Sequence, residues 1–178
     1  MKTKDLTQIT MMTTLMIVLG FVPGIPLGFI PVPIILQNLA VMLAGALLGA
    51  KKGTVSVLLV LLLGVFIPVF SGKSTTIPVL MGPTAGYVLA WVFVPLLIGW
   101  GLSRVEKGNP TLTFLVIWLA GVLFIDSFGA LWLALYTQAP IGTTLVSNLI
   151  FIPGDTIKAL LATLIALRMQ KMTGDLFL

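Results

Sequence analysis

The chain has 178 residues, of which 58% are hydrophobic and only 8% charged, with a mean hydropathy of +1.18. A soluble domain carries about 25% charged residues, so a chain this poor in charge cannot clothe a water-facing surface and must turn its outside to lipid. Cysteine and histidine are absent, which excludes disulfides, thiolate and imidazole chemistry and the common zinc sites, and the net charge of +5 comes with no aromatic-basic module for nucleic acid.

A membrane span takes about 20 apolar residues. Taken in chain order, the runs between breakers predict six of them in a single domain covering 1–178. The first covers 6–22, behind the basic start MKTKD. It resembles a signal peptide, but Phe21-Val22-Pro23-Gly24 offers no small-x-small cleavage site, so it is read as a span. The stretch PGIPLGFIPVP follows, with four prolines in eleven residues, and cannot be regular helix. The second span covers 34–50 and stops at Lys51-Lys52-Gly53; the third covers 54–70. After the polar loop SGKSTTIP, the fourth covers 82–102 and ends in SRVEKGNP. The fifth covers 111–136, and the sixth covers 143–169 with an interruption at Pro153-Gly154.

Charge orients this reading. With the N-terminus in the cytoplasm, Lys2, Lys4, Lys51, Lys52, Arg104, Lys107, Arg168 and Lys171 all fall inside, eight of the ten basic residues. Positive charge is retained on the cytoplasmic side during insertion, so the pattern predicts an all-α integral membrane protein: six transmembrane helices in a compact bundle, both termini cytoplasmic. Its expected place is a bacterial cytoplasmic membrane, as a multi-pass protein in contact with lipid. The spans are rich in small residues at four-residue spacing: Gly45 and Gly49, Ala40 and Ala44, Gly86 and Ala90, Ala130 and Ala134. Such spacing serves close packing inside one bundle or a docking face for another membrane subunit.

An ionised group in hydrocarbon costs at least about 2.5–3.5 kcal/mol, so it marks pairing or ligand contact. Three candidates exist: Asp126, Asp155 and Lys158. Asp155 and Lys158 are three apart on one helix face and can neutralise each other, either as a packing ion pair or as the polar floor of a site open to the outside. Asp126 is a structural hydrogen-bonding residue or a ligand contact. Uncharged polar groups collect at the same outer end: Gln37 and Asn38, the stretch MGPTAGY with Thr84, Gly86 and Tyr87, then Tyr136 to Gln138, and Ser147 with Asn148. With Trp132 they suit a small, partly apolar ligand with an amide-like head. SGKST at 71–75 resembles the end of a phosphate-binding loop, but Ile67 stands where its first glycine belongs. The chain is therefore expected not to hydrolyse ATP.

Three stretches carry a resemblance: IPVPIILQNLAVMLAGALLGAKKG (30–53), MGPTAGYVLAW (81–91) and FIPGDTIKALLA (151–162). Together they resemble the BioY family, the biotin-binding S components of energy-coupling-factor vitamin transporters, over nearly the whole length. The resemblance implies high-affinity uptake of biotin from outside, no enzymatic activity, no cofactor and no metal. It also implies association with a transmembrane T component and two ATP-binding-cassette ATPases. The family's acidic and basic residues of the last span fall on Asp155 and Lys158, and its polar residue after Pro-x-Pro falls on Gln37. Biotin has a ureido ring with two N–H donors and one carbonyl acceptor. Asp155 can accept from the N–H groups while Lys158 donates to the carbonyl, and the opposite placement, with Lys158 on the ligand carboxylate, also fits. The expected substrate-binding set is Asp155, Lys158, Gln37, Tyr87, Thr84, Gly86, Trp132, Tyr136 and Asn148, with Lys73, Ser74, Thr75 and Thr76 as candidate donors near the mouth. One departure concerns docking. S components often show Ala-x-x-x-Ala in the first span, where this chain has Thr10 and Thr14. Three other readings compete: an S component for a different vitamin, an intramembrane aspartyl protease using Asp126 and Asp155, and a channel or scaffold subunit, for which no regular ring of polar residues is apparent.

Overall fold

The computed structural model describes residues 3–106 and 108–173. In chain order these form α1 (Thr3–Gly20), α2 (Gln37–Leu63), the short α3 (Thr76–Leu80), α4 (Ala85–Leu102), α5 (Pro110–Trp118), a π-helical segment (Leu119–Phe124), α6 (Ile125–Thr137), α7 (Ile141–Asn148) and α8 (Phe151–Thr173). The described residues hold no strand, only two isolated antiparallel bridges, Ile25 with Ile34 and Phe70 with Ser74. Lys2 and Lys107, two of the cations expected to orient the chain, lie outside the described residues.

Among the described residues, three helical stretches are long and apolar enough to cross a membrane: Gln37–Leu63, Ala85–Leu102 and Pro110–Thr137. The pair Ile141–Asn148 and Phe151–Met172, bent by 49°, makes a fourth if it is one span. The sequence reading expected six. Two differences have clear causes. The start of α1, TKDLTQITMMTT, is polar enough to pull that helix out of the set. The segments expected at 34–50 and 54–70 meet without an intervening loop, so they form one element, α2.

That element is not a straight rod. Gly49 has φ 70° and ψ −177°, a combination open essentially only to glycine, and the chain reverses there. A methyl group placed on Gly53 would stand 2.6 Å from the Ala44 carbonyl oxygen, so the two arms of α2 face each other. Contacts with α1 agree. Lys52, just past the turn, pairs with Asp5 at 3.3 Å and Gln8 at 2.9 Å near the start of α1. Ser56 accepts from Thr13 half-way along it at 3.2 Å. Gln37, at the other tip of α2, donates to Met16 O at 3.0 Å and to Val69 O at 2.9 Å. Positions 37 and 69 are thus neighbours at one end of the bundle, and position 52 lies at the other.

Small residues make this packing possible. Gly45 and Gly53 receive Pro95 of α4, Gly99 of α4 lies against Gly49 and Ala50, and Gly121 accepts Met42. Ala40, Ala44, Ala90, Ala130 and Ala134 are all buried. The four-residue small spacings therefore serve packing within the bundle, the first of the two readings. Around a core of Met16, Met42, Trp91, Ile98, Ile117 and Ile125, the outside is apolar: Leu58, Leu62, Phe93, Leu97, Leu135, Leu161 and Leu164 are all exposed. Asp126, Asp155 and Lys158 are buried with the amides of Gln37, Asn38 and Asn148, while the helix flanks expose hydrocarbon, the arrangement a bilayer selects.

Pro110 begins α5 behind Asn109, whose side chain accepts from Leu112 N at 3.1 Å, so the NPT stretch forms an ordinary capped start. The break before α8 falls at Leu149-Ile150, not at Pro153-Gly154 as expected. Pro153 is the third residue of α8, where its missing N–H would have had no intrahelical acceptor, so proline starts this helix instead of interrupting it. Asp155 consequently belongs to the second turn of α8 and not to the first.

Candidate functional site

A pocket opens at the Gln37 end of the bundle. Its walls come from the 32–35 loop, Gln37 and Asn38 of α2, Phe70 and Ser71, Thr84, Tyr87, Val88 and Trp91 around α4, Asp126 of α6, and Phe151, Asp155 and Lys158 of α8. Of the helices that supply walls, three carry basic residues away from the pocket: Lys51 and Lys52 at the α2 turn, Arg104 after α4, and Arg168 and Lys171 on α8. At the pocket end stand Lys158 in the floor and Lys73 in the loop after Ser71.

The floor is a buried polar network spanning three helices. Asp155 and Lys158 are 3% and 7% exposed and form an ion pair across one turn of α8. Asn38 Nδ2 donates to the second oxygen of Asp155 at 3.3 Å, and Trp91 Nε1 donates to Asn38 Oδ1 at 3.0 Å. Asn38 is thereby fixed in orientation by α4 on one side and α8 on the other. A buried ion pair is tolerated when hydrogen bonds satisfy its remaining oxygens, and this one is so arranged. Lys158 keeps further N–H donors beyond the one given to Asp155.

Aromatic rings form the sides. Phe70 stacks on Trp91 with centroids 5.9 Å apart, and Tyr87 meets Phe151 edge to face at 6.1 Å. The Tyr87 hydroxyl donates to Asn148 Oδ1, and Asn148 Nδ2 donates to Thr144 O at 2.9 Å. At the rim, Gly24 N donates to Ser71 Oγ at 2.6 Å, joining the 21–36 loop to the loop after α2.

Of the residues expected from sequence, Asp155, Lys158, Gln37, Tyr87 and Thr84 line the pocket together. Asn148 stands behind Tyr87 and reaches the pocket through it. Gly86 lies under the Trp132 side chain, and Trp132 Nε1 donates to Gly82 O at 3.0 Å, so both belong to the α4–α6 seam. Tyr136 is 51% exposed on the outer surface. Thr76, expected near the mouth, is buried and donates to Leu61 O at 2.7 Å. The pocket also uses Asn38, Trp91, Phe70 and Phe151, which the expected set lacked. Spacing could have found two of them. Trp91 follows Tyr87 by four residues, and Phe151 precedes Asp155 by four, so each shares a helix face with a chosen neighbour.

No hydrogen bond joins Asp126 to Asp155 among the described residues, and Asp155 is instead ion-paired with Lys158 and hydrogen-bonded by Asn38. A general-base dyad for proteolysis is therefore not built here.

A helical bundle with a lipid-facing exterior, closing at one end over a small pocket with a charged floor and aromatic sides, defines a multi-pass membrane receptor for a small molecule. Comparison with known proteins places this receptor more narrowly. The BioY family model matches residues 1–175, and the chain belongs to that family. It is 46% identical over 177 residues to the biotin transporter BioY of Lactococcus lactis subsp. cremoris (strain MG1363), covering 97% of this chain and 94% of that one. It is 40% identical to the biotin transporter BioY of Rhizobium etli, covering 93% of this chain and 92% of that one. A crystal structure of the S-component for biotin from an ECF-type ABC transporter superimposes with a TM-score of 0.92 at 45% identity, covering 96% of this chain and 95% of that one.

Proposed function

We propose that this chain is the biotin-binding specificity subunit of an ECF-type ABC transporter. In this reading it takes up biotin from outside the cell, carries no cofactor and catalyses no reaction. It crosses the bacterial cytoplasmic membrane six times, counting α1, the two arms of α2, α4, the α5–α6 run and the α7–α8 pair, with both termini inside. The observation that carries the reading is the Asp155–Lys158 pair at the floor of the pocket, at the end of the bundle away from Lys51, Lys52 and Arg104. Asp155 serves as acceptor for the ureido N–H groups and Lys158 as donor to the ureido carbonyl. The thiolane body and aliphatic tail lie against Tyr87, Trp91, Phe70 and Phe151, and the carboxylate points to the Ser71–Thr75 loop. Energy comes from a T component and two ATPases. The face assigned to the T component is the groove along α1 formed by Thr10, Met11, Thr14, Leu15 and Val18 with Leu47 and Met169. Its threonines offer the small, four-residue spacing that helix docking uses.

The test is ligand capture. Detergent-purified protein is incubated with labelled biotin, washed and counted, with other vitamins as unlabelled competitors. Retention of one biotin per chain, displaced by biotin alone, is the expected result. Displacement by another vitamin reassigns the ligand, and peptide cleavage without biotin binding returns the protease.

A further inference from the structure

We infer that Asp126 is a further specificity-determining residue, an acceptor for one N–H of the ligand's head group; this rests on the function proposed above. Asp126 is 6% exposed and lines the pocket. Its Oδ2 is fully buried, and no donor among the described residues reaches it. Buried polar atoms are normally paired, and an unpaired one costs about as much as a lost hydrogen bond. The nearby uncharged donors are committed elsewhere, and Lys158 makes its hydrogen bond to Asp155, not to Asp126. Tyr87 gives its proton to Asn148, Trp91 gives its N–H to Asn38, Asn38 turns one N–H to Asp155, and Trp132 donates to Gly82 O. A buried carboxyl oxygen that none of these groups reaches is shaped for a donor that arrives with the guest.

A second feature points the same way. Asp126 is the second residue after the π-helical segment Leu119–Phe124. One residue inserted into a helix by a wide turn rotates everything after it by roughly 100°, and such turns collect at functional sites. Here the rotation accompanies a carboxyl group directed into the pocket. A ureido ring presents two N–H donors on opposite edges. Asp155, one oxygen of which accepts from Lys158 and the other from Asn38, serves one through a remaining lone pair; Asp126 takes the other. This makes the pocket a reader of two donors rather than one, and disfavours a ring in which either N–H is replaced by an acceptor.

The test compares biotin with its two cyclic carbamate analogues, in each of which one ureido N–H is replaced by ring oxygen. Affinities are measured on detergent-purified wild type, Asp126→Asn and Asp126→Leu. Asp126→Leu is expected to weaken biotin by roughly ten- to hundredfold, and Asp126→Asn, which keeps a carbonyl acceptor, by less. One carbamate loses a similar factor on wild type but loses little further on Asp126→Leu, because the same hydrogen bond cannot be lost twice. Penalties that multiply instead, or wild-type affinity in Asp126→Leu, overturn the inference. If neither variant folds, the carbamates on wild type still decide: both binding as tightly as biotin removes the second acceptor. Failure of wild type to bind biotin at all is a different result and removes the proposed function first.

Discussion

The residue on which most depends is Asp155. It accepts from Lys158 and from Asn38, and Asn38 in turn accepts from Trp91, so one carboxylate holds α8 to α2 and, through the amide, to α4. Asp155→Ala strands a buried ammonium and frees Asn38. Breaking a buried pair this way costs about 3–5 kcal/mol, and lost hydrogen bonds to a charged acceptor weaken binding by roughly ten- to hundredfold. Thermal unfolding and ligand titration on the same preparation check both; a folded Asp155→Ala protein of unchanged affinity removes the residue from the site. Lys158→Met leaves a buried anion and is expected to lower stability similarly. These two residues were legible in the sequence because charge inside an apolar run stands out against its background. Asn38, the amide joining them to Trp91, was visible only as a polar residue beside Gln37. Which of two adjacent amides meets the carboxylate depends on how α2, α4 and α8 are rotated about their axes, and no local pattern encodes that. The same gap explains Trp132 and Tyr136. Aromatic type at the outer end was readable, but Trp132 faces the seam with α4 and Tyr136 faces outward.

At the scale of the element, α2 shows how a helix can be long in assignment and folded in space. Gly49 adopts a backbone conformation closed to residues with a Cβ, and Gly99 lets α4 approach the turn. Gly49→Ala is expected to cost about 1–3 kcal/mol, because the substituted residue must hold a conformation it rarely visits. The turn is at the far end from the pocket, so the unfolding midpoint of the purified protein falls while its affinity for ligand holds. An equal loss of affinity would mean that strain at the turn reaches the pocket. The sequence marked the reversal through Lys51 and Lys52, whose charges end the second predicted span; the second arm ends at Leu63, short of the predicted 70. The π turn before Asp126 had no comparable mark. Gly121 is the small residue within it, and glycines are scattered throughout this chain. Likewise Pro153 read as a breaker, because proline ends helices more often than it opens them, and only the structure puts it in the opening turn.

For the molecule as a whole, the placement of Lys51, Lys52 and Arg104 away from the pocket gives an orientation that can be measured directly. The chain has no cysteine, so single introduced cysteines report position without background. Ser74→Cys, in the loop beside the pocket, is expected to react with a membrane-impermeant maleimide in intact cells. Lys51→Cys at the α2 turn and Arg104→Cys after α4 are expected to react only after permeabilisation. Labelling of position 51 from outside would collapse the six-crossing arrangement. At this scale the sequence was most informative, since apolar exterior, basic end and polar end follow from composition and charge placement. The rim has a consequence of its own. Ile25 and Ile34 exchange both backbone hydrogen bonds, at 2.9 and 3.0 Å, which closes the proline-rich segment into a small ribbon, and the Gly24–Ser71 bond ties that ribbon across to the facing loop. Lifting the ribbon as a unit therefore breaks a tether at its edge and leaves the ion pair and its amide clasp assembled beneath. Such a displacement would uncover the pocket without disturbing the Asp155, Lys158 and Asn38 contacts at its floor.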